Sequence, residues 1–321
     1  MKKTVFFVFI SFSISCKKQK NNQRYLPDSS ANINHLTVVM PEKSWEGSLG
    51  NKTRALLETP YEGLPFDEPQ FTLKYIPPRV FTGFVKNSRN IIWFIKDTIA
   101  RFQIMENLIA QPQLVAKVTG EDDEVQAYFL DENISLFKAI LTEKERVEKR
   151  RRIKKSPTKD RNLQKRFNIG LVYPTAYKTV KDTTNFVWIQ KEIPKGHMNL
   201  VAYTLPLKVM FGNVKKRILE IRDSIGKTFI PGRLKGSYMI TEKAYRPYFY
   251  RTRKQGKQTY ITKGTWEVAN DFMAGPFINY MIRDTLRKRW MVIEGFTFAP
   301  ASNKRDQMFE LNTIIDAVAI E

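Results

Sequence analysis

Residues 259–298 read TYITKGTWEVANDFMAGPFINYMIRDTLRKRWMVIEGFTF, and this stretch decides the fold class. Thr259–Val268, Phe277–Arg283 and Arg289–Phe298 are runs of β-branched and aromatic residues. Asn, Asp, Gly and Pro punctuate the intervals, so the runs read as antiparallel strands. Upstream, Phe167–Tyr173, Asn185–Gln190, Leu200–Leu205 and Ser237–Tyr250 read the same way. Asn213 is placed to cap a helix with Val214, Ile218, Ile221 and Ile225 on one face, and Gly226 reads as its stop. A last helix begins near Ser302 and buries Met308, Leu311, Ile315 and Val318.

The first half repeats the theme more weakly. Leu36–Met40, Phe71–Ile76, Asn90–Ile95 and Leu114–Val118 are strand candidates, and Asn90–Ile95 (NIIWFI) is too apolar for a surface strand, which makes it central. Ser44 suits the cap of a helix carrying Trp45, Leu49 and Leu56, and Pro78 suits the first turn of another. Ile134, Phe137, Leu141 and Val147 recur at helical spacing, with Asp131 and Glu132 at the start and Arg150–Arg152 at the end, an order that complements the helix dipole. Lys154–Lys159, interrupted by Pro157, reads as a solvated linker. The expectation is an α+β protein of two packed halves, each with antiparallel strands followed by a helix. The divisions fall at a signal peptide 1–15, a tether 16–34, an N-terminal half 35–153, a basic linker 154–166 and a C-terminal half 167–321.

The N-terminus bears on compartment. Val5–Cys16 is VFFVFISFSISC, preceded by Lys2 and Lys3 and closed by small residues before the only cysteine. Its apolar core is too short to span a bilayer, which takes about 20 helical residues. The three-part pattern matches a secretory signal. It resembles the bacterial lipoprotein signal, in which the cysteine, here Cys16, carries the lipid and becomes the mature N-terminus. With Cys16 consumed, no thiol is left for a disulfide, a zinc site or a nucleophile.

Formal net charge is +22. In a cytosolic protein that would suggest nucleic acid. An exported lipoprotein meets other polyanions, so the expected partners are membrane lipid through acylation, anionic lipid or envelope glycan, and other envelope proteins, with no nucleic acid. The charge is uneven: 12 basic and 15 acidic residues between Arg24 and Thr142, against 25 and 13 between Phe167 and Glu321. The excess therefore belongs to the second half and to the 143–166 segment.

Metal and nucleophile chemistry find little support. His35 and His197 are the two histidines, far apart, and no HExxH, paired-cysteine, GxSxG, Walker or GxGxxG pattern occurs. No metal and no cofactor are expected. Carboxylates are the remaining chemistry. Glu267 and Asp271 flank a segment dense in Gly, Pro and aromatics around Trp266, Gly275 and Pro276, and Glu294 follows in the next strand. Two such groups across a sugar could hydrolyse a glycoside. The plainer reading puts Glu267 and Glu294 on solvent faces and makes Asp271 a turn cap, with Asp271–Phe277 a packed corner. Gly275 there supplies a positive φ or a close backbone approach. Tyr245, Tyr248, Phe249, Tyr250 and Tyr260 alternate with Arg246, Arg251, Arg253, Lys254 and Lys257, a pattern suited to stacking on rings beside charge. Simple alternation, aromatics inward and cations outward, gives the same pattern. These cations, with Arg287 and Arg289, are the candidate anion contacts.

Several short motifs together resemble a lipoprotein family of the Bacteroidetes, the domain-of-unknown-function family 4837. They are Gly63-Leu64-Pro65, Glu68-Pro69-x-Phe71, Arg89-Asn90-Ile91-Ile92, Gln111-Pro112-Gln113, Ser237-Tyr238-Met239, Trp266, Asp271-Phe272-Met273-x-Gly275-Pro276-Phe277, Glu294-Gly295-Phe296 and Pro300 before Lys304-Arg305. The resemblance implies an envelope lipoprotein of unknown activity and transfers no catalytic role. The function expected is a lipid-anchored, non-enzymatic binding or scaffolding module at the periplasmic face of the outer membrane. The alternative is a carboxylate-dependent glycan hydrolase.

Overall fold

A computed structural model describes residues 25–321; the signal and Cys16 lie outside the described residues. The first half runs β1 (His35–Val39), α1 (Glu42–Glu46), α2 (Ser48–Leu57), β2 (Thr72–Ile76), β3 (Asn90–Lys96), β4 (Arg101–Glu106), β5 (Leu114–Gly120) and the 31-residue α3 (Asp123–Ile153). The second runs α4 (Asn162–Phe167), β6 (Ile169–Gly170), β7 (Lys178–Asp182), β8 (Phe186–Ile193), β9 (Gly196–Pro206), α5 (Val214–Phe229), β10 (Tyr238–Thr241), β11 (Tyr248–Lys254), β12 (Lys257–Ala269), β13 (Asp271–Asp284), β14 (Arg289–Phe298), α6 (Arg305–Asp316) and β15 (Ala319–Ile320). The fold is α+β in two halves. Among the described residues no helix is long and apolar enough to cross a membrane.

The first sheet has the order β2-β1-β3-β5-β4, with β3 central. Its strands run mostly parallel, rather than antiparallel as expected. Only β4 returns antiparallel to β5, at the edge. Parallel strands need cover on both faces. Here α2 and α3 cover one face through Leu49, Leu57, Leu130 and Phe137, and the turns around Phe81 cover the other, against Val39, Ile91 and Val115. Two-sided burial explains why NIIWFI is continuously apolar.

The second sheet follows the order β10-β12-β13-β14-β9-β8-β7, with β11 also on β12. β12, β13 and β14 pair antiparallel. Alternate residues face opposite ways. Ile278, Tyr280 and Ile282 pack under α6 with Leu311 and Ile315, while Phe277, Met281 and Phe296 pack under α5 with Ile218 and Ile221.

Local readings needed revision. α3 starts at Asp123, capped by Asp122, which accepts from the amides of Glu124 and Val125. Val147 is exposed. Ser44 lies inside α1 instead of capping it. Gly226 is inside α5, where a Cβ would fall 2.2 Å from the Met239 carbonyl oxygen; it permits close packing of β10 and does not stop the helix. The expected strand Phe167–Tyr173 shrinks to β6, and Ser237–Tyr250 splits into β10 and the start of β11. The segment read as a linker carries α4, whose Leu163 and Phe167 are buried.

Asp271–Phe277 is not a corner. The turn is at Asn270, with φ at +65°, and Asp271 already begins β13. Phe272 is fully exposed. Of the two reasons offered for Gly275, close approach is the operative one, since a Cβ would meet the Thr297 carbonyl oxygen at 2.1 Å.

Candidate functional site

Of the carboxylates singled out in the sequence, Glu294 stands apart from Glu267 and Asp271. Glu294 on β14 is 2% exposed, not solvent-facing. It takes Arg222 of α5 at 2.8 Å and Asn279 at 2.9 Å. Glu267 belongs to the opposite face of the sheet: its neighbours Trp266 and Val268 pack under α5, so the residue between them points the other way. The register Glu294–Asn279–Thr262 also places Glu267 five residues along β12, about 17 Å at strand rise. Asp271 sits at the far end of β13, held by Arg233 at 2.7 Å. The Arg233 hydrogen bonds draw the Asp271 carboxyl below its usual range. Paired carboxylates for glycoside hydrolysis stand about 5–9.5 Å apart, and the register sets Glu294 well outside that range from both Glu267 and Asp271.

The basic candidates divide. Arg287 and Arg289 clamp the wholly buried Asp284, at 3.5 and 3.0 Å. Lys254 bridges to Asp316 at 2.6 Å, and Arg253 donates to the Gly256 carbonyl. Those four are structural fasteners. Arg246 and Arg251 are exposed and Lys257 is half-buried. The aromatics of β11 do not turn into the core as simple alternation requires, because Tyr248 and Tyr250 stand about 40% exposed on an edge strand. Pro276 is buried within β13 opposite Thr265, and Trp266 is buried beneath α5.

A cavity of about 450 Å³ lies where the two halves meet. Its walls come from the 59–71 loop, α3, α6 and β12. Lys138, Thr142 and Arg146 recur every four residues, so they form one stripe along α3. Lys138 Nζ donates to the Leu56 carbonyl at 3.0 Å and to Thr59 Oγ1 at 2.7 Å. Burial pushes the Lys138 ammonium pKa down. Arg146 lies 3.5 Å from Glu143 through one terminal nitrogen, while its buried Nε has no partner. Opposite, Lys263 bridges to Glu62 at 2.8 Å, and Tyr250 donates to the same carboxylate oxygen at 2.7 Å. Burial raises the Glu62 pKa, but those two hydrogen bonds outweigh it and hold the carboxyl below its usual range. Burial lifts the Tyr61 hydroxyl to about 12, so it stays protonated. The lining thus carries three cations against one carboxylate that is already committed. Such a site is suited to an anion. Among the described residues no cluster of three His, Cys, Asp or Glu could hold a metal ion.

The walls are held by contacts across the halves. Glu68 accepts from the backbone amides of Lys304 at 2.7 Å and Arg305 at 2.9 Å, placing a carboxylate on the N-terminus of α6. Arg305 reaches back to the Pro69 carbonyl and Thr72 Oγ1, at 3.0 and 2.9 Å. Lys149 of α3 meets Glu310 of α6 at 2.6 Å. Sequence reasoning did not gather Tyr61, Lys138, Arg146 and Lys263 into one site. The four-residue stripe on α3 was the only signal that could have pointed there.

The family described as Domain of unknown function (DUF4837) matches residues 156–317. A second, Domain of unknown function (DUF8532), matches residues 29–154, so the motifs before α3 fall in a separate model. No curated protein matches the chain. Solved structures resemble part of it, among them the following. The Ran-binding protein Mog1p of Saccharomyces cerevisiae is 13% identical, covering 47% of this chain and 89% of its own, with a TM-score of 0.31. LpqN of Mycobacterium tuberculosis, described as involved in cell envelope biogenesis, is 11% identical over 47% of this chain and 82% of its own, with a TM-score of 0.29. Human StAR-related lipid transfer protein 5 is 9% identical over 44% and 83%, with a TM-score of 0.25.

Proposed function

The chain belongs to the DUF4837 family, of unknown function, and we propose that it is a lipid-anchored cell-envelope binding module at the periplasmic face of the outer membrane. Its junction cavity receives an anionic group carried by an envelope lipid or glycan. The observation that carries this reading is the cavity lining, in which Lys138, Arg146 and Lys263 face a single, already paired carboxylate. Clefts between packed units are common ligand sites. The terminal nitrogens of Arg146, held by one 3.5 Å contact to Glu143, leave donors that favour an acceptor from outside. The separation of Glu294 from Glu267 and Asp271, and its burial against Arg222, support binding over hydrolysis through Glu294.

The test is binding of the Cys16→Ser chain to inorganic phosphate and to vesicles of phosphatidylglycerol against phosphatidylcholine, at low and high salt. Charge-assisted bonds contribute roughly 1.5–3 kcal/mol each, so Arg146→Gln should weaken phosphate binding at least tenfold. Vesicle binding should fall as salt rises. Arg146→Gln protein that keeps its melting curve and binds as tightly as wild type would remove the cavity from the function.

A further inference from the structure

A second cavity, independent of the junction, opens on the α5 face of the large sheet where that helix ends. α5 covers the sheet as far as Phe229, and the Ile230–Gly236 segment then arches over the strand ends. The arch is tied to the β12–β13 hairpin by the two-pronged Arg233–Asp271 contact, at 2.7 and 3.1 Å. Beneath it lies a space of about 200 Å³ bounded by Trp188, His197, Met239, Trp266, Met273 and Phe296. That is small beside pockets of 300 Å³ and more that take drug-sized ligands, and it suits a single ring.

The aromatic walls are fixed by their neighbours. Trp266 stands edge-on to Phe296 at 5.7 Å between centroids, and Trp188 is tilted on Phe296 at 6.2 Å. Asn199, wholly buried, sets the polar groups. Its Oδ1 accepts from Trp188 Nε1 at 2.9 Å, which identifies the other amide atom as the donor to His197 Nδ1 at 2.8 Å. The His197 proton therefore sits on Nε2. Burial pushes the imidazole pKa down, keeping the ring neutral. The buried Trp266 Nε1 packs against Gly275, out of reach of the cavity, whereas His197 Nε2 has no acceptor among the described residues.

We infer that this cavity binds one sugar ring, stacked on its aromatic walls, with a ring hydroxyl or acetamido oxygen accepting from His197. Indole faces match the apolar face of a sugar, and N–H donors match its oxygens. An acyl chain would fill the same space but leave the His197 donor unmade.

The experiment is a titration of the full chain in detergent with glucose and N-acetylglucosamine, octanoate serving as the apolar competitor. The chain is labelled on methionine methyl groups. Met239 and Met273 line the cavity, whereas Met105 lies in the first half. At least one sugar should shift the Met239 and Met273 signals saturably and leave Met105 still. Trp188→Leu should weaken that binding at least tenfold, and Arg146→Gln, in the other cavity, should not change it. Absence of any saturable sugar shift, or a shift by octanoate alone, overturns the proposal, as does full binding by Trp188→Leu. If Trp188→Leu melts early, His197→Phe and the wild-type methyl map decide.

Discussion

Glu294 offers the sharpest test, because its two readings predict opposite results. Its carboxylate is 3% exposed and meets an equally buried Arg222 through Nη2 at 2.8 Å and Nε at 3.0 Å. Arg222 also donates to Thr241 Oγ1 at 3.1 Å, and its guanidinium lies 3.8 Å from the centre of the Phe277 ring. Glu294→Ala would leave that guanidinium buried and uncompensated, at a cost of about 3–5 kcal/mol. An unfolding entropy of about 2.1 cal/mol/K per residue gives about 0.6 kcal/mol/K for roughly 300 residues. The melting temperature should therefore fall by about 5–8 °C. Removing both partners by Arg222→Met with Glu294→Leu removes the uncompensated charge as well, so the double variant should melt above Glu294→Ala. Calorimetry on wild type, Glu294→Ala, the singles Arg222→Met and Glu294→Leu, and their double variant measures this. A Glu294→Ala protein melting within about 2 °C of wild type would refute the structural reading, and loss of function in vivo with that melting curve would make Glu294 a catalytic group. A double variant as unstable as the two singles summed would refute the coupling.

Gly275→Val must displace the β14 backbone, because a Cβ would stand 2.1 Å from the Thr297 oxygen; overpacking of this kind costs about 1–3 kcal/mol or more, and calorimetry should show a clear fall. Asp271→Asn weakens a contact to an exposed arginine and should shift the melting temperature less than Gly275→Val; the reverse order would make the hairpin end, not the close strand approach, the sensitive point. Burial raises the Glu148 pKa, but Arg151 and Arg152 outweigh it and hold the carboxyl at about 2. A depressed carboxylate stabilises the fold above its unfolded pKa and loses that contribution as pH falls through the folded one. Melting temperature should thus drop between pH 4.5 and about 2, and Glu148→Gln should flatten the slope; equal slopes would show that Glu148 carries none of it. Cys16→Ser should release the protein from membranes and abolish fatty-acid labelling, which fractionation checks; a variant that still pellets after a salt wash would place the anchor elsewhere.

What the sequence disclosed follows from how far each signal reaches. β12, β13 and β14 were legible because both faces of the sheet are buried and their turns carry Gly, Asn and Asp, a local signature. β4 escaped notice: Arg101–Glu106 is a half-exposed edge strand whose six residues include three that are polar or charged, Arg101, Gln103 and Glu106. The start of α3 was placed eight residues late because Asp131–Glu132 imitates an acidic first turn, while the true cap, Asp122, lies in an acidic run of its own. Glu294 was misplaced for a different reason. Nothing in Ile293-Glu294-Gly295 reveals an arginine 72 residues earlier. The junction cavity is the extreme case, drawing Tyr61, Lys138, Lys263 and Asn312 from four separate segments.

The motifs behind the family resemblance sharpen that contrast. Glu68 and Lys304-Arg305, quoted as separate motifs, bond to each other across the halves. Arg89 is buried against Glu145 at 2.8 Å and donates to the carbonyls of Ala31 and Asn32, fixing the entry into β1. Gln113 uses both ends of its amide, accepting from Ile109 and donating to Lys86 and Ser88. Gly275 and Glu294 are packing and ion-pair positions beneath α5. These residues share a trait: each satisfies a buried polar group or permits a close approach, so replacing it costs stability before it touches any ligand. A resemblance built on them identifies the architecture and is silent on chemistry. Binding residues are to be sought where the architecture leaves donors open to a cavity, at Arg146 in the junction and at His197 beneath the α5 arch.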